Sequence, residues 1–534
     1  MTEKNAKPRG KIKSHGHADL PVLPSKWCWA TINDLAAAEP NSITDGPFGS
    51  NLKTSHYTET GPRVIRLQNI GDGIFHDATA HISESHFSRL KKHEVVAGDL
   101  VIAALGETLP RSCVMPPWVG PAIVKADCPR FRANRSIVLP EFVNYALNSP
   151  DTQRRTSEII HGVGRPRLNL SEVRGIWIPL APINEQRRIV SKIEELFSDL
   201  DAGVAALKRA KANLKRYRAA VLKAAVEGKL TEEWRAKHPH AEPASKLLAR
   251  ILTERRQKWE SEQLAKFAGA GKEPPKGWKE KYVEPTPPDT TDLPELPEDW
   301  CWVSLDQTCD IGTGTTPSRS NPAFYSGGTI PWVMSSAVNR SFVDEASEFV
   351  TEHAIRETTL RLYPAGTLII ALYGEGKTRG TVSELRIAAT VNQAIGTLGF
   401  AETGNLIRPF VKLFLASNYD QLRRQAAGGM QPNLNLGILK QIAVPIPPLN
   451  EQTPIVAEVA MVLSQIEAAE TAIDQDLLRA GRLRQSVLKQ AFAGKLVPQD
   501  PNDEPASVML DKLHGGQTEE APKKQRRTRQ SPNV

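Results

Sequence analysis

The stretch Leu-Pro-Ser-Lys-Trp-Cys-Trp at residues 23–29 returns as Leu-Pro-Glu-Asp-Trp-Cys-Trp at residues 296–302. Four further pairs follow in the same order. VAGDLVIAALGE (96–107) matches PAGTLIIALYGE (364–375), and RPRLNLSEVRGIWIPLAPINEQRRIV (165–190) matches QPNLNLGILKQIAVPIPPLNEQTPIV (431–456). RYRAAVLKAAVEGKL (216–230) matches RLRQSVLKQAFAGKL (482–496), and EPASKLL (242–248) matches EPASVML (504–510). Five collinear matches mark a tandem duplication. The offset drifts from 273 to 262 residues, as short insertions and deletions in loops produce. Likeness is strongest between 165–230 and 431–496 and weakest between 40–90 and 310–360. The two copies have kept a framework and changed what it carries.

A chain of 534 residues exceeds what one core can organise and predicts two to four domains. Hydrophobic content of 40% and charged content of 24% are those of a soluble globular protein. No apolar run approaches the length of a membrane helix. The first twenty residues are polar and basic, and read as a disordered tail rather than a secretory signal. The five cysteines (Cys28, Cys113, Cys128, Cys301, Cys309) show no metal or disulfide spacing and read as reduced thiols of a cytosolic protein. The net charge of +8 permits nucleic-acid binding without requiring it, and part of it sits in the tail PKKQRRTRQ at 522–530.

Each copy opens with a mixed region of about 150 residues. Apolar runs such as LVIAAL (100–105) and TLIIALY (367–373), bounded by Gly and Pro, read as buried strands. These regions predict α/β or mixed α+β domains. The pattern then becomes a heptad seam with alternating spacings of four and three. In the first copy it runs Ile189, Ile193, Leu196, Leu200, Gly203, Leu207, Ala210, Leu214, Tyr217, Val221, Ala224, with Gly203 as its one defect. In the second it runs Ile455, Val459, Val462, Ile466, Ala469, Ile473, Asp476, Ala480, Leu483, Val487, with Asp476 as its defect. Asn184 and Asn450 are expected as N-caps, Pro454 in the first turn, and Gly228 and Gly494 just past the helix ends. A helix of some 45 residues spans roughly 65 Å. Two such seams predict antiparallel pairing, with the globular domains at opposite ends and related by a pseudo-two-fold axis. Between the copies lie a charged helical stretch and a segment with seven prolines between 274 and 297, which reads as a semi-rigid linker.

Three fragments resemble enzyme motifs and fail on context. ALYGEGKT (371–378) approximates a phosphate-binding loop, but RGTVSEL does not start the helix such a loop needs. DIGTGT (310–315) and NPAF (321–324) approximate two methyltransferase motifs. They stand too close together to lie on different strands of a sheet joined by crossover helices. No His/Cys cluster has metal spacing, and no nucleophile elbow is present. Nothing in the chain reads as a catalytic site.

The chain resembles the specificity subunit of type I restriction-modification systems, over about residues 21–510. DGPFGSNLKTSHYTETGPRVIRLQNI (45–70) is similar to one class of target recognition domain, and TGTTPSRSNPAFYSGGTIPWVMSSAV (313–338) to another. AGTLIIALYGEGKTRG and TVNQAIGTL (390–398) fit that second class. IPLAPINEQRRIV and VPIPPLNEQTPIV resemble the family's entry to each conserved helix, and LKRYRAAVLKAAVEGKLTEEWR (214–235) resembles the end of its central helix. The Pro-rich insert departs from the pattern.

The resemblance implies two globular target recognition domains (21–182 and 292–448) separated by two long antiparallel coiled-coil spacer helices (183–235 and 449–498). A linker at 236–291 and disordered tails at 1–20 and 499–534 complete the expected layout. It implies a cytoplasmic bacterial or archaeal protein with no catalytic site, metal or cofactor of its own. S-adenosylmethionine, ATP and Mg2+ would belong to partners: two modification subunits that methylate adenine and two restriction subunits that cut after translocation. Each recognition domain would read one half of a bipartite, asymmetric site in double-stranded DNA. Base readout needs Arg, Lys, Asn or Gln at groove edges. The candidates are Lys53, Arg63, Arg66, Gln68, Asn69, Arg111, Arg165 and Arg167 in the first domain. In the second they are Ser318, Arg319, Asn339, Arg340, Lys377, Arg379 and Asn392.

Overall fold

The computed structural model describes residues 20–162, 164–373, 378–419 and 434–516. Its contacts form two compact units, Met1–Lys208 with Asp474–Val534, and Arg209–Ile473. The division cuts through both long helices, Ile183–Val226 and Leu449–Phe492, each of 44 residues. Each unit therefore holds one mixed α/β domain, the first half of its own helix and the second half of the other copy's helix.

In the first unit an antiparallel four-stranded sheet runs in the order Ile43–Thr44, Arg130–Phe131, Leu100–Ala103, Arg111–Val114. A second has the order His81–Ile82, Tyr57–Ile65, Ala122–Val124, Glu94–Val95, with its central pair parallel. The run Leu100–Ala103 is buried at every residue, which explains its unbroken apolar sequence. The second unit has a five-stranded sheet ordered Asp310–Thr313, Ile395–Gly399, Leu368–Ala371, Val382–Leu385, Phe342–Val343. Beside it is a three-stranded sheet centred on Ile330–Val333. The two domains thus differ most where the copies differ in sequence.

What they share is the mount. Cys28–Thr31 pairs antiparallel with Trp177–Leu180, and Cys301–Ser304 with Ala443–Ile446, so each Trp-Cys-Trp strand lies beside the strand that enters the long helix. Trp27 stands edge-on to Phe142 at 6.4 Å, and Trp300 to Phe410 at 5.9 Å. The outer tryptophans donate backward, Trp29 to the Pro21 carbonyl at 3.1 Å and Trp302 to Pro294 at 3.2 Å.

The proline of each motif meets a helix end from the other copy. Gly494 (φ 68°) and Gly228 (φ 71°) terminate the helices in left-handed geometry, and Lys495 and Lys229 close the turns by donating to Gln490 and Ala224 at 2.9 Å. A Cβ on Gly494 would stand 2.4 Å from Pro24, and one on Gly228 would stand 2.5 Å from Pro297. Only glycine satisfies both the φ and the contact. Past each glycine the chain stays docked: Ala506 N–H donates to Lys26, and Ala244 N–H to Asp299, both at 2.9 Å. The stretch after 499 was expected to be a disordered tail. Instead Asp503 pairs with Arg188 at 2.7 Å, and Ala506–Gly516 is helical. Residues 517–534 and 1–19 lie outside the described residues.

The seams pack antiparallel within each unit. Leu488, Ala491 and Phe492 share a core with Ile189, Val190 and Ile193 in the first unit, while Arg484 pairs with Asp201 farther along the first helix. Val221 and Ala225 share a core with Ile455, Val459, Val462 and Ile466 in the second. Ile473 is buried, and Leu196, Leu200, Leu207 and Leu214 are half-buried.

Two equivalent positions depart from the expectation: Tyr217 and Leu483 are exposed, at 53% and 44%. A straight helix drifts about 20° per heptad against a seven-residue repeat. At these positions the next residue, Arg218 or Arg484, faces the other helix. Arg218 reaches Glu467 at 3.4 Å, and Arg484 lies over the Phe197 ring at 4.5 Å. Long cationic side chains can cover apolar surface with their stems while their heads find carboxylates.

The helix starts also differ from expectation. They begin at Ile183 and Leu449, so Asn184 and Asn450 lie in the first turn rather than at the cap, and Pro454 is the sixth residue of its helix. The linker is a 26-residue helix, Ala244–Gly269, whose Trp259 packs on Trp278 (5.9 Å) and Tyr282 (5.3 Å) of the Pro-rich return.

The first turns carry the triplet Asn-Glu-Gln in both copies, and their buried glutamates are satisfied differently. Glu451 accepts from Trp300 Nε1 at 2.9 Å, Thr231 at 2.6 Å and Arg235 at 2.5 Å. Neither Trp27 Nε1 nor Glu185 Oε1 has a hydrogen-bond partner of normal geometry. Burial pushes the Glu185 carboxyl above its usual range, against the pull of the Trp27 indole and Arg188. A hydrogen bond to a charged group contributes about 1.5–3 kcal/mol. Glu451→Gln is therefore expected to cost the second unit about that much. Glu185→Gln should leave the first unit unchanged or more stable. Hydrogen exchange of peptides from the two helix starts would check both.

Candidate nucleic-acid interface

Three of the eight first-unit candidates converge. Gln68 follows the strand Tyr57–Ile65, Arg111 begins the strand Arg111–Val114, and Arg165 lies on the loop after residue 161. All three line one open cleft of about 460 Å3. The loops are held from below: Leu168 N–H donates to Ala104 at 2.9 Å, and Gly106 N–H to Pro166 at 3.2 Å. His76 and Glu107 line the same cleft. Sequence reasoning missed both, because each is brought in by a loop whose partner is far away in the chain.

The other arginine candidates of this unit are engaged. Arg63 pairs with Asp77 and lies 5.8 Å from the exposed Trp118 ring. Arg66 donates to Thr79 at 3.0 Å. Arg167 pairs with Asp127 at 2.5 Å, beside the exposed Phe48. Lys53 is exposed at the start of a short turn. Asn69 is fully buried: its amide donates to His76 and Ala78 carbonyls at 2.8 Å, and its oxygen accepts from Arg66 N–H. It holds the turn beneath Gln68 and is a structural residue rather than a surface contact.

In the second unit the described candidates lie on separate loops. Arg319 pairs with Glu348 at 2.5 Å and lies over Tyr325 and Trp332, each at 5.0 Å. Ser318 bonds Ser320 at 2.8 Å. Exposed Asn339 donates to Ser336, and Arg340 pairs with Glu345 at 3.6 Å. Arg379 is half-buried. Asn392 accepts from Ala394 N–H at 3.2 Å, so it shapes a turn. Lys377, with half of the phosphate-loop lookalike, lies outside the described residues. Among the described residues no group of three His, Cys, Asp or Glu could hold a metal ion, and no helix is long and apolar enough to cross a membrane.

Residues 297–478 match a family model described as the type I restriction modification DNA specificity domain. The chain is 24% identical over 391 residues to the type I restriction enzyme EcoDI specificity subunit of Escherichia coli, covering 71% of this chain and 76% of that protein. It is 22% identical over 517 residues to the EcoKI specificity subunit of Escherichia coli K12, covering 92% and 95%. A solved structure from work on complex assembly and conformational transition of the type I restriction-modification system superposes with a TM-score of 0.59 at 18% identity. It covers 89% of this chain and all of that one.

Next to Arg167 and Asp127, burial pushes the Asp45 carboxyl up to about 6; the Gly46 N–H pulls it down, and Asp127 pushes it further up. The fold favours the protonated form. The contribution of this group is therefore full below about pH 4 and is lost as the pH rises through about 6. Asp45→Asn should remove that loss. The expected outcome is a smaller drop in first-unit stability between about pH 4.5 and 8 in the variant, measured by hydrogen exchange of the peptide around residue 45.

Proposed function

We propose, from the chain's membership of the type I restriction-modification specificity-subunit family, that it is the DNA-reading scaffold of a methyltransferase and nuclease complex. The observation that carries this reading is the duplicated mount: the same tryptophan, proline and glycine junction holds two unlike sheet domains. Two unlike readers on matched supports fit a bipartite, asymmetric site, with one half per domain. Matched helices offer equivalent surfaces to two copies of a modification subunit, which would bring S-adenosylmethionine and methylate adenine. Two restriction subunits would bring ATP and Mg2+ for translocation and cleavage. A helix pair of fixed length sets the unread gap, and half-sites about one duplex turn apart, roughly 34–36 Å, are within its reach. Such a protein works in the cytoplasm of its host.

Replacing residues 21–180 by the first domain of another member is expected to change one half-site only. Inserting seven residues in each long helix should lengthen the gap and leave both halves unchanged. Sequencing of adenine methylation in cells carrying the chain with its modification partner checks both. A single uninterrupted methylated word, or tight binding of labelled S-adenosylmethionine by this chain alone, would count against the scaffold.

A further inference from the structure

Of the first-unit arginine candidates, Arg111 and Arg165 differ from the rest. Arg63 and Arg167 have carboxylate partners, and Arg66 donates to a backbone carbonyl. Among the described residues Arg111 and Arg165 have no ion-pair partner, and both line the 460 Å3 cleft. Arg111 Nε is buried without a hydrogen-bond partner, as is Arg66 Nε. The guanidinium lies beside Gly106, where an added Cβ would come within 3.5 Å of it. The Arg111 backbone is fixed by its pairing with Ala103 in the sheet. A guanidinium with no ion-pair partner, held on a rigid strand at the edge of a cleft, can offer its outer nitrogens to an anionic oxygen.

The shape of the site says which ligand. Bases of a duplex lie recessed in its grooves, and a protein reads them with parts that project. A concave site instead receives what projects from DNA, the sugar–phosphate backbone. The remaining lining suits it: Leu67, Ile70, Leu105 and Pro166 offer an apolar wall for deoxyribose, while Gln68 and His76 add polar groups. At Gly164 an added Cβ would meet nothing within 4 Å, so the backbone there is open to a close approach.

We propose that this cleft grips one strand of the DNA backbone, with Arg111 and Arg165 on phosphate oxygens. It sets the register of the first domain without reading sequence. The inference rests on the DNA-reading role above. Glu107, in the same cleft, opposes the two guanidinium charges, and its effect gives the site an opposite-sign control.

The test uses the full complex with its modification subunits, titrated on DNA carrying the methylated motif found for the wild type. Arg111→Ala and the loop variant Arg165→Ala should each weaken binding roughly tenfold at low salt. Each should flatten the plot of log affinity against log salt by about 0.9. Between about 50 and 200 mM salt, each variant should then lose about three- to fourfold less affinity than the wild type. Glu107→Gln should tighten binding. The methylated motif should stay the same in all three variants, because phosphate contacts weaken binding evenly across sequences. Relaxation of one motif position in Arg111→Ala would make the cleft a base reader and overturn the proposal. Unchanged affinity in both arginine variants would overturn it too. A wild-type complex that binds no DNA would instead remove the underlying reading. Because Arg165 is on an exposed loop, its variant tests the site even if Arg111→Ala disturbs the sheet.

Discussion

The fold depends on one junction, made twice: a tryptophan whose preceding proline presses against a left-handed glycine at the end of a long helix. Pro24, near Trp27 in the chain, receives Gly494, and Pro297 with Trp300 receives Gly228. The glycine in each case comes from the other copy of the repeat. Neither copy can therefore close its own core. The core around Trp27 includes Leu488, Ala491, Phe492, Ala506 and Met509, all from the second copy. The core around Trp300 includes Val221, Ala225, Ala244 and Leu247, all from the first. Duplication here did not yield two independent domains joined by a linker. It yielded two cores that each need both copies, which explains why the ends of the repeat stayed alike while the middle diverged.

The residues of that junction are the ones the sequence made legible. Packing between a fixed proline, a φ-restricted glycine and an indole tolerates few substitutions, so identity persisted at 23–29 and 296–302 and could be read from two copies alone. The heptad seam was legible for the same kind of reason, since periodic burial leaves a periodic mark. Its errors, Tyr217 and Leu483, arise where a strict seven-residue extrapolation outruns a helix of 3.6 residues per turn. Both copies fail at the same position because both put arginine next to it. The caps were misjudged because Asn carries a short polar side chain of the kind that bonds the free N–H groups at a helix start. The Gln side chain itself secures the helix start, with Gln186 donating to Ile137 and Ala181 and accepting from Leu139.

The candidate interface was only partly legible. Residue type selected Gln68, Arg111 and Arg165, but it selected Asn69 equally, and Asn69 is sealed beneath the surface. Type alone does not tell an arginine held by an aspartate from one left open. That distinction depends on which loops meet, and those contacts join residues tens of positions apart. His76 and Glu107 had no local signal for the same reason.

The two junctions, alike in shape, are not alike in charge. Thr231 and Arg235, which bind Glu451, correspond by the 266-residue offset to Val497 and Pro501, which offer Glu185 neither hydroxyl nor cation. The first unit compensates elsewhere: Lys26 donates to the Asp503 carbonyl at 2.6 Å, and Arg188 pairs with the Asp503 side chain. Charge that in one copy anchors the buried glutamate has, in the other, moved outward to anchor the docked segment. A buried carboxylate with a full set of donors resists local opening, whereas one whose indole donor lacks normal hydrogen-bond geometry adds to the free energy of the closed state. The first junction is thus the weaker of two otherwise matched seals. Local opening of a unit is governed by its least satisfied contacts, so the first unit should release its borrowed helix end more readily than the second.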